Sequence, residues 1–250
     1  MDMSVETLPL LLKELRLASL LPHWEPLAEK AREQHWPMER YLAELCQLEL
    51  SCREQKRLLR GLKEATLPIG KYLDTYDFNE VEGLSKEQVW HLADHAEWLK
   101  TGDNILLFGA SGLGKTHIAA GLGYRLVEQG HRVKFMSASL LVQQLQKAKE
   151  ELRLSEALIR LDRFAVLILD DLGYVQKSTE ETSVLFELIA HRYERHSLII
   201  TSNQSFEDWD KLFSDTVMTV AAIDRLIHHA KILQCKGESY RRKEAQNKLN

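Results

Sequence analysis

The chain contains the stretch Gly109-Ala110-Ser111-Gly112-Leu113-Gly114-Lys115-Thr116, which matches the phosphate-binding loop pattern G-x-x-x-x-G-K-[ST]. A short apolar run precedes it at Asn104–Phe108 and is typical of a buried parallel strand. The residues that follow, Lys115–Glu128, combine spaced apolar positions with good helix formers. Strand, glycine loop and helix therefore come in the order that a nucleotide-binding α/β fold requires.

Each residue type in the loop has a chemical reason to be there. The glycines let backbone N–H groups turn towards phosphate oxygens, and the helix N-terminus adds partial positive charge. Lys115 is expected to reach the β- and γ-phosphates, and the Thr116 hydroxyl is expected to bind Mg²⁺. The predicted nucleotide contacts are Gly109, Ala110, Ser111, Gly112, Leu113, Gly114, Lys115, Thr116 and His117. The alternative is a chance glycine-rich turn before a helix.

A second motif indicates hydrolysis as well as binding. The apolar run Val166–Leu169 ends in two carboxylates, Asp170 and Asp171. Ligands collect at the carboxyl ends of strands in doubly wound sheets, so both acids should lie beside the phosphate loop. Asp170 is expected to hold Mg²⁺, and Asp171 to orient or deprotonate the attacking water. By itself, such a run is equally well read as a strand followed by a turn.

A third strand also ends in polar residues, in the stretch Leu198–Asn203. Asn203 could hydrogen-bond the γ-phosphate or the attacking water and so sense the bound nucleotide. A turn-forming asparagine is the alternative, but the presence of the other two motifs favours a role in the site.

Composition limits the classes of function. The chain has 250 residues and a formal net charge of −4, which argues against a globally basic nucleic-acid coat protein and leaves local patches as the means of DNA contact. Its cysteines, Cys46, Cys52 and Cys235, have no metal-ligand spacing and leave one unpaired in any disulfide scheme. No signal peptide or membrane-spanning run is visible. These features predict a cytoplasmic protein.

The chain is expected to contain two domains. Residues from Val5 to about Ala65 read as successive helices with buried stripes, and breaks are expected near Pro22, Pro26 and Pro37. The sequence Leu67-Pro68-Ile69-Gly70 then interrupts the pattern. We therefore predict a small all-α domain over residues 1–67 and an α/β ATPase domain over 68–250.

Beyond the first strand, apolar strands and helices alternate, which predicts a mostly parallel sheet with helices on both faces. The further predicted strands are Val133–Met136, Ala165–Leu169, Leu198–Thr201 and Lys231–Cys235. An amphipathic helix is expected around Val89–Leu99, and the segment Ser139–Asp162 is long enough for two helices.

Two groups of basic residues are candidates for DNA contact. One lies in the helical front, at Arg53, Lys56, Arg57 and Arg60, and the other in the Ser139–Asp162 crossover, at Lys147, Lys149 and Arg153. Both groups can equally be read as the solvated faces of ordinary helices.

Several further stretches carry a family resemblance. They are Leu15-Arg16-Leu17, Tyr41-Leu42-Ala43-Glu44-Leu45, Gly114-Lys115-Thr116-His117, Asp170-Asp171-Leu172-Gly173, Thr201-Ser202-Asn203, Asp224-Arg225-Leu226 and Gly237-Glu238-Ser239-Tyr240-Arg241. With them the chain resembles the AAA+ ATPases of the helicase-loader type, and more specifically the IstB family of transposition helper ATPases. The likeness covers nearly the whole chain.

The resemblance implies an AAA+ core with the strand order of that class, ATP and Mg²⁺ as ligands, and self-assembly on double-stranded DNA with little sequence preference. It also implies a homo-oligomer with ATP at subunit interfaces, delivery of target DNA to a partner transposase, and no membrane association. Arg225 lies where the family has an arginine that reaches a neighbouring subunit's γ-phosphate. A structural ion pair with Asp224 or a nearby acid is the alternative. Asp171 stands where many AAA+ enzymes carry glutamate, which suggests slow intrinsic hydrolysis.

Two other functions remain open at this point. A replicative helicase loader would share the ATPase core and differ in what its helical front binds. A small-molecule kinase would share the phosphate loop, but the Asp170-Asp171 strand end and Asn203 disfavour it.

Overall fold

A computed structural model of the chain describes residues 5–173, 178–204, 209 and 216–240. The chain divides into two compact units, Met1–Arg60 and Gly61–Asn250. The helix α3, Met38–Ala65, contributes residues to both, and Thr66, the residue directly after it, has a φ of +53°. The proposed division at residue 67 stays a prediction of the sequence.

The first unit is helical. It contains α1 (Leu8–Glu14), a 3₁₀ turn at Ala18–Leu20, α2 (Trp24–Glu33) and the first part of α3. Pro37 directly precedes α3, as predicted, whereas Pro26 is the third residue of α2. The helices are interrupted at residues 21–23, beside Pro22, and no break falls at Pro26 itself, because proline is tolerated in the first turn of a helix, where its missing N–H has no intrahelical partner.

A buried carboxylate on α3 connects that helix to the 3₁₀ turn at Ala18–Leu20. Glu49 is 7 % exposed and accepts hydrogen bonds from the Ser19 hydroxyl and from Arg53 Nε, each at 2.7 Å. The Ser19 hydrogen bond is the main reason why the pKa of Glu49 lies below its usual range. Arg53, a candidate DNA contact, is thus partly committed to this ion pair.

The second unit alternates strands and helices, as predicted. Its strands are β1 (Asn104–Phe108), β2 (Val133–Ser137), β3 (Val166–Asp170), β4 (Ser197–Ser202) and β5 (Ala230–Gln234). Its helices after α3 are α4 (Lys86–Asp94), α5 (Lys115–Glu128), α6 (Ala138–Glu150), α7 (Leu154–Leu161), α8 (Thr179–Arg192) and α9 (Thr216–His228).

The five strands form one parallel sheet in the order β2-β3-β4-β1-β5. Strands β1 and β4 are buried along their whole length, as expected for central parallel strands covered on both faces. Parallel pairing brings the carboxyl ends of β1, β3 and β4 to one edge of the sheet. That edge carries the phosphate loop, Asp170 and Asn203.

Of two local predictions about helices, the structure confirms one and corrects the other. The Ser139–Asp162 crossover does form two helices, α6 and α7. The helix expected over Val89–Leu99 is instead α4 followed by a 3₁₀ turn at Ala96–Leu99, because His95 adopts an extended conformation that ends α4.

Among the described residues, no helix is long and apolar enough to cross a membrane.

Candidate nucleotide-binding site

The phosphate loop joins β1 to α5 and depends on its glycines. Gly109, Gly112 and Gly114 all have positive φ, and Gly114 adopts the left-handed conformation at the N-cap of α5. A Cβ atom at Gly109 would collide with the carbonyl oxygen of Cys235, and one at Gly114 would press on the Tyr76 ring. Both backbone conformation and close packing therefore require glycine at these positions.

Lys115 opens helix α5 and points back over the loop. Its Nζ donates a hydrogen bond to the carbonyl oxygen of Ala110 at 2.9 Å, and the residue is only 6 % exposed. A buried ammonium group beside the backbone of a glycine loop is a strong anion-binding feature, because little water competes for its charge.

Thr116 and Asp170 meet across the edge of the sheet. The Thr116 hydroxyl lies 2.9 and 3.1 Å from the two carboxylate oxygens of Asp170. On the other side, the Thr201 hydroxyl donates to Asp170 Oδ1 at 2.7 Å and accepts from the backbone N–H of Asp171 at 2.9 Å. Thr201 thus links the two aspartates that the sequence predicted as metal ligand and base.

Burial controls the electrostatics of Asp170. Desolvation raises its pKa, and the neighbouring Asp171 carboxylate raises it further, while the hydrogen bonds from Thr201 and Thr116 and the charge of Lys115 lower it. A carboxylate held in such surroundings gains from a nearby cation, since a positive charge stabilises its ionised form.

Asp171 has φ +60°, in the left-handed region, and its side chain is exposed to solvent. Aspartate tolerates this region better than most residues, because its short side chain can form hydrogen bonds with the nearby backbone.

Asn203 directly follows β4 and is half-buried. It shares the sheet edge with Asp170, but it is not among the described residues that line the adjacent cavity.

A cavity of ≈ 670 Å³ lies over the phosphate loop. Its walls include the loop from Ser111 to His117 together with Asp170 and Asp171. The segment that precedes β1 contributes Lys71, Thr75, Tyr76, Asp77, Glu80 and Val81, and the end of the described chain contributes Glu238 and Tyr240. The volume falls in the range typical of ligand pockets.

Tyr76 and His117 join this preceding segment to the loop. The Tyr76 hydroxyl donates to the carbonyl of Leu113 at 3.0 Å, and its ring packs edge-on against His117 at 5.3 Å between centroids. His117 Nε2 lies 2.8 Å from the carbonyl oxygen of Tyr72, so this nitrogen carries the proton. Burial lowers the pKa of His117, which favours the neutral ring.

The C-terminal end of the described chain also contacts the loop. The Tyr240 N–H donates to the carbonyl of Gly112 at 3.1 Å, and a Cβ atom at Gly112 would collide with Ser239. Ser239 and Tyr240 belong to the stretch Gly237-Glu238-Ser239-Tyr240-Arg241, which carries part of the family resemblance. Of these residues, Arg241 lies outside the described part of the chain.

Arg225 lies on α9 and is half-buried. It donates to the Ala221 carbonyl at 3.0 Å, and its guanidinium stacks over Phe186 at 5.4 Å. Among the described acidic residues none forms an ion pair with it, so the alternative of an ion pair with Asp224 gains no support. Arg225 is not among the described residues that line the cavity of its own chain.

The candidate DNA contacts differ in whether their side chains already form hydrogen bonds or ion pairs within the chain. Lys149 binds Ser183 at 2.8 Å and Glu187 at 3.0 Å, and Arg57 lies 3.4 Å from Glu54. Arg153 lies 4.0 Å from Glu151. Three side chains are exposed and form no ion pair with a described residue: Lys56, Arg60 and Lys147.

The donors at the sheet edge fit Mg²⁺. A threonine hydroxyl and a carboxylate converge at Thr116 and Asp170, and hard oxygen ligands of this kind suit Mg²⁺, which keeps its remaining positions for water and phosphate oxygens. The positive Lys115 and the open backbone of the loop fit the phosphates beside them.

Sequence reasoning missed Thr201 as a residue of this site. For Tyr76 it gave only the general expectation that the aromatic turn Tyr76-Asp77-Phe78 could flank the adenine, with a packing role as the alternative. The sequence Thr201-Ser202-Asn203 drew attention to the asparagine, although a hydroxyl at the end of a buried strand was itself a signal, since it needs a polar partner. The contact of Tyr76 with Gly114 has no such local signal, because it depends on the tertiary fold.

The sheet order, the glycine loop on β1 and the aspartates at the end of β3 define a P-loop nucleotide-binding protein of the AAA+ class. More narrowly, residues 10–248 match the family described as IstB-like ATP binding protein. The chain belongs to this family of insertion-sequence ATP-binding proteins.

Two relatives illustrate the family. The insertion sequence ATP-binding protein y4iQ/y4nD/y4sD of Sinorhizobium fredii (strain NBRC 101917 / NGR234) is 49 % identical over 95 % of this chain and 80 % of the relative. An ATP-binding protein of insertion sequence IS21 from Pseudomonas aeruginosa is 41 % identical over 95 % of this chain and 89 % of its own length.

Solved structures share the fold. The DnaC helicase loader superposes with a TM-score of 0.56 at 22 % identity, over 67 % of this chain and 98 % of the loader chain. AMPPCP-bound DnaA from Aquifex aeolicus gives a TM-score of 0.57 at 20 % identity, over 74 % of this chain and 56 % of DnaA. At these identities the likeness concerns the fold alone.

Proposed function

We propose that this protein is a transposition helper ATPase. It hydrolyses ATP to ADP and phosphate, assembles on duplex DNA with little sequence preference, and delivers that DNA to a partner transposase. The observation that carries the ATPase part is the array of Thr116, Asp170, Thr201 and Asp171 beside the buried Lys115. Membership of an insertion-sequence ATP-binding family supports the transposition part.

Different residues of the chain have different roles in the proposed hydrolysis. Loop N–H groups and Lys115 bind the phosphates, and Thr116 and Asp170 hold Mg²⁺, which neutralises phosphate charge when bound. Asp171 orients the attacking water or accepts its proton, and Asn203 contacts the γ-phosphate or that water. Arg225 is proposed to act on ATP held by an adjacent subunit, where a guanidinium stabilises charge on the transferred phosphoryl group.

The decisive variant is Lys115→Ala, compared with Lys100→Ala, which removes an exposed lysine that does not line the cavity. A hydrogen bond to a charged group contributes about 1.5–3 kcal/mol, so we expect Lys115→Ala to weaken ATP binding about 10- to 100-fold in calorimetry. ATP-dependent assemblies on random duplex DNA, visible by electron microscopy, should disappear with it.

The two parts of the proposal can fail separately. Unchanged ATP affinity in Lys115→Ala would contradict the loop assignment. Normal ATP turnover without assembly on DNA would leave an ATPase and overturn the transposition role, and a pull-down against a replicative helicase would then test the loader alternative.

A further inference from the structure

A cluster of metal-ligating side chains lies away from the nucleotide site. It consists of Glu194, which follows α8, of His228, the last residue of α9, and of His229, which lies between α9 and β5. One ligand atom from each residue lies within 4.8 Å of the others, and all three side chains are exposed. Neither the proposed ATPase chemistry nor the DNA contacts use these residues.

The backbone fixes the three residues at one edge of the sheet. Glu194 lies three residues before β4, and His229 directly precedes β5, so both belong to the edge opposite the phosphate loop. The carbonyl of His229 accepts from the Asn104 N–H at 3.0 Å, which holds it at the start of β1. The cluster therefore joins two chain segments that are distant in sequence.

A neighbouring side chain supports one histidine in the way that metal ligands are usually supported. The Tyr193 hydroxyl lies 2.7 Å from Nδ1 of His228, so a metal bound through Nε2 would leave this contact in place. Metal-bound histidines commonly bond an oxygen through their second nitrogen, which fixes the tautomer and the ring orientation. His229 Nε2 lies 3.5 Å from Glu194 Oε1, so the carboxylate already faces this ring.

We propose that Glu194, His228 and His229 bind a first-row divalent transition metal, and that Zn²⁺ is its principal occupant. Imidazole nitrogens select such ions over Mg²⁺, which prefers oxygen ligands. Two histidines and one carboxylate form a three-ligand zinc site, in which water or a group from another molecule takes the fourth position. Bound metal would clamp the end of α9, the helix that carries Arg225, to the segment between α8 and β4.

The test uses the full-length protein, freed of any polyhistidine tag, in millimolar Mg²⁺ so that the nucleotide site does not compete. Zn²⁺ affinity is measured by competition with a chromophoric chelator. We expect one Zn²⁺ per chain, an affinity at least about tenfold lower in His228→Gln/His229→Gln and in Glu194→Gln, and a thermal midpoint that Zn²⁺ raises only in the parent. Tyr193→Phe removes only the hydroxyl and should weaken binding about tenfold.

The control is His91→Gln/His95→Gln, which removes another exposed histidine pair, with ring centroids 4.5 Å apart. It should bind Zn²⁺ like the parent, and all variants should bind ATP like the parent, which shows that they are folded. The proposal is overturned if the parent binds no Zn²⁺, if affinity survives in both cluster variants, or if the control pair loses as much affinity as they do.

Discussion

The Thr116 hydroxyl and the Asp170 carboxylate lie 2.9 Å apart, although 54 positions separate them in the chain. Thr116 belongs to the first turn of α5 and Asp170 ends β3, so their contact depends on the parallel order of the sheet. Strand β4 lies between β3 and β1, the strand that leads through the phosphate loop into α5, and Thr201 on β4 supplies the second hydroxyl to Asp170. Three chain segments thus build one oxygen-rich site.

Thr201→Val should damage both stability and turnover. The change keeps the shape of the side chain but leaves the Asp171 N–H and one Asp170 oxygen without the Thr201 hydroxyl. An unsatisfied buried polar group costs about 1–3 kcal/mol, so urea denaturation should show a loss of that size in the free energy of unfolding. ATP turnover should fall as well, because the backbone of Asp171 is no longer held.

Thr201→Ser is the matched control, since it keeps the hydroxyl and removes only a methyl group. It should retain most of the parent's turnover. Equal losses in the serine and valine variants would indicate that packing, and not the hydroxyl, is what Thr201 contributes.

Asp171→Asn should separate ATP binding from hydrolysis. Asparagine tolerates the positive φ of this position as aspartate does, so the backbone should be preserved while the carboxylate is lost. General-base catalysis contributes about 10²–10⁴-fold, and phosphate release should fall by that order while ATP affinity and DNA complexes persist. Equal turnover in parent and variant would remove Asp171 from the mechanism.

Most of the fold, including the residues at which its strands end, could be predicted from the sequence. Short apolar runs bounded by polar residues predicted β1, β3 and β4, and the polar residues at the ends of β3 and β4, Asp170 and Asn203, lie at the edge of the sheet that carries the phosphate loop. Of these two residues, Asp170 lines the cavity. The helical period alone could not show that α4 stops at Asp94, since the apolar pattern continues beyond it.

Two other features depend on contacts between distant segments: the contact of Tyr76 with the phosphate loop, and the separate cluster at the opposite edge of the sheet. Tyr76 reaches the loop only because the segment before β1 folds back over Gly114. The cluster of Glu194 with His228 and His229 forms because β4 and β5 lie on either side of β1. No spacing in the sequence encodes either arrangement.

DNA binding should depend more on Lys147 than on Lys149. Both lie on α6, but Lys149 is already bound to Glu187 and Ser183, whereas Lys147 is exposed without an ion pair among the described residues. Each lost phosphate contact should lower the slope of log affinity against log salt by about 0.9. Lys147→Ala should show this change in a fluorescence anisotropy titration over a range of salt concentrations.

Lys86→Ala, at the exposed start of α4, controls for the change in net charge and should leave the slope unchanged. If Lys147→Ala and Arg153→Ala also leave the slope unchanged, the DNA surface lies elsewhere. The exposed Lys56 and Arg60 of α3 would then be tested next.

Arg225 is expected to act on ATP held by an adjacent subunit, so turnover should rise with protein concentration and with DNA, which concentrates subunits side by side. Arg225→Ala should bind ATP normally and hydrolyse it poorly. The fold should tolerate the change, because stacking on Phe186 is worth only about 0.5–1 kcal/mol at a partly exposed position.

The decisive experiment mixes Arg225→Ala subunits with Lys115→Ala subunits, neither of which should be active alone. A mixed interface pairs an intact loop from the first with an intact arginine from the second, so turnover should recover. If co-assembly on DNA is demonstrated and turnover does not recover, Arg225 has a structural role.

Arg192 could not take over the role of the arginine that acts on the adjacent subunit's ATP, because its side chain is 1 % exposed and donates to the carbonyls of Leu161, Phe164, Ala165 and Ser197. The exposed Arg195 would then be the arginine to test in the same mixing experiment.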